Sequence, residues 1–504
     1  MKSIAVVSPS PDPAAGWSNR LRIAVGGQGL IAHAGVVLPR LLADRIGLTA
    51  GLRWLVARRG FDPRRDRGRL LTDAVAALVA GASCLSDVEA LTRQEALFGP
   101  GGGASDTTVL RALDELAAHL GTDGLPDGRW ARMLAEVRAR AWTQVTAGNR
   151  GRLPAVKVAG RPLTHPGIGD GEATPVTVIR VDATIIEAAT VKEPSVAGHY
   201  KHGIGWHPLT AWCTNTGDHL AVMQRPGNAG SFTAADHVKV LDAALAQIPA
   251  EHRSDLLVTI DGAGASHDVI NHLTRWNTYR EHGRRGRRVE YSIGWPVDER
   301  TRTGIERLPE QAWTARLTAD GRPTPNQHVA DLTGLLRHSK EGDLLAGWPA
   351  DLRVIVSRTR RPASEQAPLG EDAEWRHGAF ATNTIGGQLQ WLDARHRTQA
   401  HVEDKMKELK AMGGQKLPTA DPGRNAAWLQ LAALAVTLTA WLRHLALDGD
   451  LAVAEPKALR FRLLAVPARI VHHARTRILK IPDGWAWADD LVNAWDRLHA
   501  LHPG

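Results

Sequence analysis

Hydrophobic positions along the chain change their period after roughly residue 150. Before it they recur at helical spacing. LTDAVAALVAGASCLSDVEAL (71–91) carries Leu, Val and Ala at three- and four-residue intervals, which predicts a helix. TTVLRALDELAAHL begins another after the Gly-rich loop FGPGGGASD (98–106), with Ser105 or Asp106 as its N-cap. Two short helices around a Gly-rich turn suit either a helix-turn-helix or a plain helical bundle, and this linker is long for the former. The stretch 149–175, rich in Gly, Pro and basic residues, reads as a linker.

Beyond it the pattern is that of strands. PVTVIRVDATII (175–186) is a strand by its β-branched content, and HPLTAWCT (207–214) and HLAVMQ (219–224) form a meander around Asn215-Thr216-Gly217-Asp218. FTAADHVKVLDAALAQI (232–248) places Val238, Leu241, Leu245 and Ile248 on one helical face. DLLVTIDGAGA (255–265) is a buried strand ending at Asp261, HDVINHLTRW is a helix, and RRVEYSIGWPV (287–297) is another strand. Three strands, helix, strand, helix, strand is the order of a mixed α/β, ribonuclease-H-like domain. Weaker periodicity follows, with strand-like runs at 352–360 and 375–384. A helix is predicted over 389–414, closed by two glycines in C-cap position, and a helical tail follows. The expected division is a helical region 1–150, a catalytic domain over 151–298 and 376–415, a β-rich insertion 299–375, and a helical, basic region 416–504.

Composition narrows the partner. The 504 residues, 43% hydrophobic and 23% charged, fit a folded chain of two to four domains. A net charge of +9 and a pI near 9.8 favour a polyanion, nucleic acid ahead of a membrane surface. Cys84 and Cys213 have no metal-ligand or disulfide spacing and fit a reducing cytoplasm. The apolar stretch at the N-terminus is too short for a signal peptide. The apolar run 426–442 contains Gln430, is followed by Arg443 and His444, and reads as a core helix instead of a membrane span. GGQG (27–30) and GIGDGE (167–172) lack the context of phosphate or dinucleotide loops, and no GxSxG or HExxH occurs.

The awkward residue in VIRVDATIIEA is Asp182, a carboxylate inside a buried strand. In the ribonuclease-H-like order the strands carrying Asp182 and Asp261 are neighbours, so both acids converge at one sheet edge. A third carboxylate has to come from a helix across that edge, and Glu403 is the candidate, with Asp404 its first substitute. Paired Mg²⁺ ions ~4 Å apart activate an attacking oxygen and stabilise the leaving one in phosphoryl transfer. Mg²⁺ needs only a few hard oxygen ligands. Each acid alone has a plainer explanation, such as a strand-end turn for Asp261 or a surface pair Glu403–Lys407. Their joint placement on one fold favours the metal site.

RVDATIIEA, YKHGIGWHPLTAW…LAVMQRPGNAGS, IDGAGA and HVEDKMKELK together resemble bacterial insertion-sequence transposases of the DDE type, specifically the insertion-sequence family numbered thirteen-eighty. The likeness runs from about residue 20 to the C-terminus. It implies a catalytic domain interrupted by a β-rich insertion before the Glu, with Asp182, Asp261 and Glu403 as the triad for two Mg²⁺, Mn²⁺ able to substitute. It further implies a cytoplasmic, nucleoid-associated enzyme that cuts at terminal inverted repeats and joins 3′-OH ends to target DNA, as a homodimer on double-stranded DNA. Related transposases often place Tyr seven and Arg four residues before the Glu, and Lys seven after. Here these are His396, Gln399 and Lys410, and Arg395 or Arg397 are candidates to replace the missing guanidinium. The rival readings are a nuclease without strand transfer and a decayed, DNA-binding regulator.

Candidate phosphate contacts are Arg280, Arg284, Arg285, Arg287 and Arg288 before the last sheet strand. A second set comprises Arg460, Arg462, Arg469, His472, His473, Arg475, Arg477 and Lys480. Lys405, Lys407 and Lys410 flank Glu403. Trp295 is a candidate for stacking on an extruded base, with core packing the simpler role. His199, Lys201 and His207 carry the resemblance without an assigned role. The N-terminal helices are expected to bind DNA ends.

Overall fold

Side-chain caps mark where three of the N-terminal helices begin. A computed structural model describes residues 29–99, 102–165, 173–230, 233–278, 286–362, 364–367, 372–473 and 475–502. It opens with helices α1 (Val37–Arg45), α2 (Leu48–Val56), α3 (Arg67–Ala80) and α4 (Leu85–Thr92). Helices α5 (Asp106–Ala117) and α6 (Gly128–Ala147) follow. Asp66 caps α3 by accepting from Arg69 N, and Asp127 caps α6 by accepting from Trp130 N. Ser105 is the N-cap of α5. The run 71–91 is two helices, not one: Gly81, at φ +112°, ends α3 in the left-handed region, and α4 leaves at 100°.

Nine strands form the main sheet. They are β1 (Thr177–Ala183), β2 (Leu209–Cys213), β3 (His219–Met223), β4 (Asp255–Ile260) and β5 (Arg288–Trp295). The remainder are β6 (Thr314–Leu317), β7 (Pro323–Asp331), β8 (Arg353–Arg360) and β9 (Trp375–Thr382). Their spatial order is β3-β2-β1-β4-β5-β9-β8-β7-β6. β1, β4 and β5 run parallel, and the other pairings are antiparallel. The β3-β2-β1-β4-β5 half is ribonuclease-H-like. Strands β6 to β9 extend the same sheet, because β9 pairs with β5 from Ser292↔Thr382 to Trp295↔Ala379. Asn383 continues that ladder with its side chain, accepting from Tyr291 N at 2.9 Å and donating to Val289 O at 2.9 Å.

Two crossover helices, α7 (Ala234–Gln247) and α8 (His267–Trp276), link the parallel strands. The buried face of α7 is His237, Val240, Leu241 and Ala244, leaving Val238 and Leu245 only half-buried. This is rotated from the sequence expectation because His237 is turned inward. Next come α9 (Leu389–Arg397) and α10 (Val402–Leu409). The expected continuous helix over 389–414 is therefore interrupted by a 3₁₀ turn, Thr398–His401, and closes on Gly413 at φ +92°.

The 25-residue α11 (Pro422–Ala446) is the axis of the helical region, in contact with α1, α3, α5, α6, β3 and α12 (Ala488–Ala500). It is long and apolar enough to cross a membrane, but its apolar window is entirely buried within the protein. The N-terminal helices pack around it as a bundle. Buried Arg138 of α6 ties that bundle to the sheet, its Nε donating to Asp218 Oδ2 at 2.8 Å and its Nη2 to His219 O. The stretch 149–175 is more than a linker, since Val156, Val158 and Leu163 are buried against Val178 and Leu257.

Candidate active site

Strand alternation decides which residues can meet. On β1, Val178, Arg180 and Asp182 share one face. In the parallel register Ile260 lies beside Val181, so the next step along each strand sets Asp261 beside Asp182. Leu257, Thr259 and Asp261 therefore share the face of Val178, Arg180 and Asp182. The helices α9 and α10 cover it: Ala394 packs with Val178 and Leu257, and Thr210, opposite Asp182 on β2, donates to Met406 Sδ at 3.6 Å. Val402, Met406 and Leu409 form the buried stripe of α10, and Glu403 stands in its first turn, exposed.

The three acids feel one another. Burial, and after it the Asp261 and Glu403 carboxylates, push the Asp182 carboxyl up to about 7, against one hydrogen bond from Ala183 N at 2.8 Å. Asp261 ends its strand in a Gly-rich turn, with Gly264 N donating to its carbonyl at 3.1 Å. Gly294 of β5 runs directly against that turn. A Cβ there would sit 2.5 Å from Gly262 N and 2.9 Å from the Asp261 carbonyl carbon, so only glycine fits.

The donor set is three carboxylates without a thiol, the chemistry of a hard divalent cation. Among the described residues no group of three His, Cys, Asp or Glu side chains is already drawn together to hold an ion. The acids lie along one edge, and burial with mutual repulsion raises the proton affinity of Asp182.

Gln399 and Arg180, neither singled out as site residues from sequence, hold this edge together. Gln399 is buried in the 3₁₀ turn. Its Nε2 donates to Val181 O at 2.9 Å and its Oε1 accepts from Thr259 Oγ1, so one side chain clamps both acid-bearing strands to the segment that carries Glu403. Arg180, 2% exposed, donates to Thr259 Oγ1 at 3.3 Å and to Thr398 Oγ1 at 2.9 Å. Burial lowers its guanidinium to about 10.

The expected replacements for the missing arginine do not reach the site's surface. Arg395 is fully buried, bonded to Glu290 and to Thr382 Oγ1 at 3.1 Å and Thr384 Oγ1 at 2.8 Å. Arg397 bonds Asp393 Oδ2 at 2.9 Å and Leu317 O. His396 packs flat on Phe380, ring centroids 4.4 Å apart, and bonds Ser292 Oγ at 3.0 Å through Nδ1. Asp404, the proposed substitute for Glu403, is on the surface paired with Lys407 at 3.0 Å.

The basic candidates separate by their partners. Lys405 bonds Glu408 at 3.1 Å, and Lys407 bonds Asp404. Lys410 instead lies near Lys201 and Glu187. Burial lowers its ammonium, Lys201 lowers it further, and Glu187 opposes both. Lys201 sits in a tight turn held by buried His199, whose Nδ1 accepts from Lys201 N at 3.3 Å and whose Nε2 meets Glu187 at 3.1 Å. His207 and His237, both lowered chiefly by burial, each feel the Asp261 carboxylate. Trp295 meets Trp348 edge-on at 5.0 Å, and Trp348 stacks on His267 at 3.7 Å. Arg287 and Arg288 are half-buried at the start of β5, while Arg280, Arg284 and Arg285 lie outside the described residues. Arg475 and Arg477 lie on the C-terminal hairpin, exposed.

A solved structure, the cryo-EM structure of a piggyBac transposase synaptic complex with hairpin DNA, is similar over 87% of this chain and 83% of its own, at 8% identity and a TM-score of 0.39. No curated protein matches the chain in sequence. The family model described as "Transposase DDE domain group 1" matches residues 14–503. The chain belongs to that family of DDE transposases, proteins of DNA transposition and recombination.

Proposed function

We propose that this transposase is of the insertion-sequence type numbered thirteen-eighty, cutting DNA at terminal inverted repeats and joining the freed 3′-OH ends to target DNA. The observation that carries the reading is the register of β1 and β4, which sets Asp182 beside Asp261 on the face covered by the helix of Glu403. In this reading Asp182, Asp261 and Glu403 hold two Mg²⁺, or Mn²⁺ in their place. When bound, such ions supply Lewis-acid activation of the attacking oxygen and charge stabilisation for the leaving one. The chain's own part is positional. Gln399 fixes the spacing of the acid-bearing strands, and Lys410 with Lys201 offers cationic charge to the DNA backbone. Nicking breaks a P–O bond with water as nucleophile. Joining breaks another, with the new 3′-OH as nucleophile and the 5′-phosphate-linked strand leaving its former 3′ oxygen, so one site serves both steps.

Lys405, Lys407, Arg284, Arg285, Arg287, Arg288, Arg475 and Arg477 are proposed to contact DNA, and Trp295 to border the reacting strand. The helical region 1–150 is proposed to engage DNA ends, the protein to act as a homodimer because two ends are cut together, and the setting to be the cytoplasmic nucleoid. The decayed-regulator reading rested on His396 and Gln399, and both have packing roles here, His396 against Phe380 and Gln399 on Val181 O.

The test is a labelled transposon-end fragment with Mg²⁺. Wild-type protein should nick it, Asp182→Asn should not, and a pre-nicked end should yield strand-transfer products. Nicking by Asp182→Asn at the wild-type rate rules out this site. Nicking without transfer products leaves a nuclease.

A further inference from the structure

The C-terminal region carries a hairpin that the catalytic reading leaves unused. Ala468–His473 pairs antiparallel with Thr476–Lys480. Near its base Leu30–Ile31 adds a short third strand, pairing only with Arg469 and Ala468. Beyond Ile470, whose N–H donates to Gly29 O at 2.8 Å, the hairpin is a two-stranded ribbon with no further strand pairing among the described residues.

The ribbon's charge is one-sided. Its two strands with Arg475 contain Arg469, His472, His473, Arg475, Arg477 and Lys480 and no acidic residue. All six are exposed. Among the described residues no ion pair involves Arg469, Arg475, Arg477 or Lys480, and Arg477 donates instead to Ala96 O.

Cross-strand partners share a face. Ile470 and Leu479 are one such pair, and they line a cavity with Leu41, Leu491 and Trp495 that seats the ribbon's base on the body. Arg469 with Lys480, and His473 with Thr476, are pairs of the other face. Ile478, opposite Val471, is 40% exposed but also lines that cavity, as does Arg477, so this strand is seated on the body as far as Arg477.

From this geometry we infer that the ribbon is a groove-reading element that enters duplex DNA. The proposal rests on the DNA-transposase reading above and adds to it the part of the chain that recognises sequence. Dimensions agree: three residues beyond the base extend ~10 Å at ~3.3 Å per residue, and a major groove is ~12 Å wide and ~8.5 Å deep, enough for a two-stranded ribbon. The cations at the base then meet phosphates at the groove's lips. His472, His473 and Arg475, towards the tip, reach base edges.

The experiment uses the full chain, a fluorescent mixed-sequence duplex, and selection from a randomised duplex pool. Wild-type protein should bind the mixed duplex with a steep salt dependence and enrich a defined site from the pool. His472→Ala/Arg475→Ala should lose enrichment at a contiguous block of a few positions while keeping the rest. Arg469→Ala/Lys480→Ala should lower the salt slope by about 2, at ~0.9 per phosphate contact, without changing the enriched site. Unchanged melting temperatures show that each variant remains folded. If His472→Ala/Arg475→Ala enriches the same full site as wild type, the ribbon does not read a groove, whatever its effect on affinity. If wild-type protein binds neither probe, it is the transposase reading that fails.

Discussion

Two sets of carboxylates are tucked against the same sheet, and they are treated oppositely. Asp218 and Asp393 are almost fully buried, and each meets a guanidinium at 2.8 Å, from Arg138 and Arg316 respectively. Glu290 is held likewise by Arg395. Asp182 is also largely buried, yet its neighbours are carboxylates, and among the described residues its own carboxylate accepts only from Ala183 N. Paired acids hold the fold together, whereas Asp182 faces acids that raise its proton affinity. The contrast supports the proposed site without reference to any relative.

Removing a paired acid should cost most. Asp218→Ala strands Arg138 in the interior, with Trp142 Nε1 also losing its acceptor at 3.4 Å. Breaking one side of a buried pair costs about 3–5 kcal/mol, so chemical denaturation should show a loss of that order. A loss below about 1 kcal/mol would remove the distinction drawn between the two sets.

The buried histidines sharpen the same contrast with pH. Burial lowers His219 to about 3 and His396 to about 4, below the ordinary 6.5. The unfolded chain therefore takes up these protons first, so stability is full above about 6.5 and falls as pH drops towards 4. Each group contributes on the order of 3 kcal/mol to that fall. His396→Phe, which retains a ring against Phe380, should flatten the dependence between pH 6.5 and 4 in melts. An unchanged slope would mean that His396 is not held neutral.

For the facing acids the sign reverses. Asp182→Asn removes a charge disfavoured by burial and by Asp261 and Glu403. At pH 8 without divalent metal it should stabilise the protein by roughly 1–3 kcal/mol. Adding Mg²⁺ should raise the melting temperature of wild type and leave the variant's unchanged, since a ligand stabilises only the state that binds it. Equal responses to Mg²⁺ would separate Asp182 from any metal site.

The acids of the proposed site are legible in the sequence, and the residues that support them are not. Asp182 interrupts a β-branched run and Asp261 ends one, so each stands out against the pattern around it. Glu403 was reached through the fold order and the family likeness. Gln399 and Arg180 are polar residues whose role depends on partners far away in sequence, and hydrophobic period carries no trace of such pairing. The turn of α7 was misjudged for a related reason, because inward-facing His237 does not count as apolar. Strand β7 hid in a polar run, PTPNQHVAD. Around it Arg358, not an aliphatic side chain, fills the space between Trp313 and Trp375, with its guanidinium 4.5 and 4.3 Å from their rings.

Gln399 is the finest test of the contrast, because it belongs to neither set and serves the second. Its amide spans from Val181 O, one residue before Asp182, to Thr259 Oγ1, two residues before Asp261. Gln399→Ala leaves that carbonyl and hydroxyl without their buried partner, which costs about 1–2 kcal/mol. If Gln399 were only a packing residue, the loss would stop at stability. As a positioning residue it should also loosen the separation of the acids, so the Mg²⁺ concentration for half-maximal nicking should rise and kcat fall while KM for the DNA stays level. Gln399→Arg, which restores the side chain found in related transposases, should not improve activity here. A second guanidinium would be forced into the pocket already occupied by buried Arg180, with no acid to receive it. Higher activity from Gln399→Arg would show that the position faces DNA after all, and that the clamp is incidental.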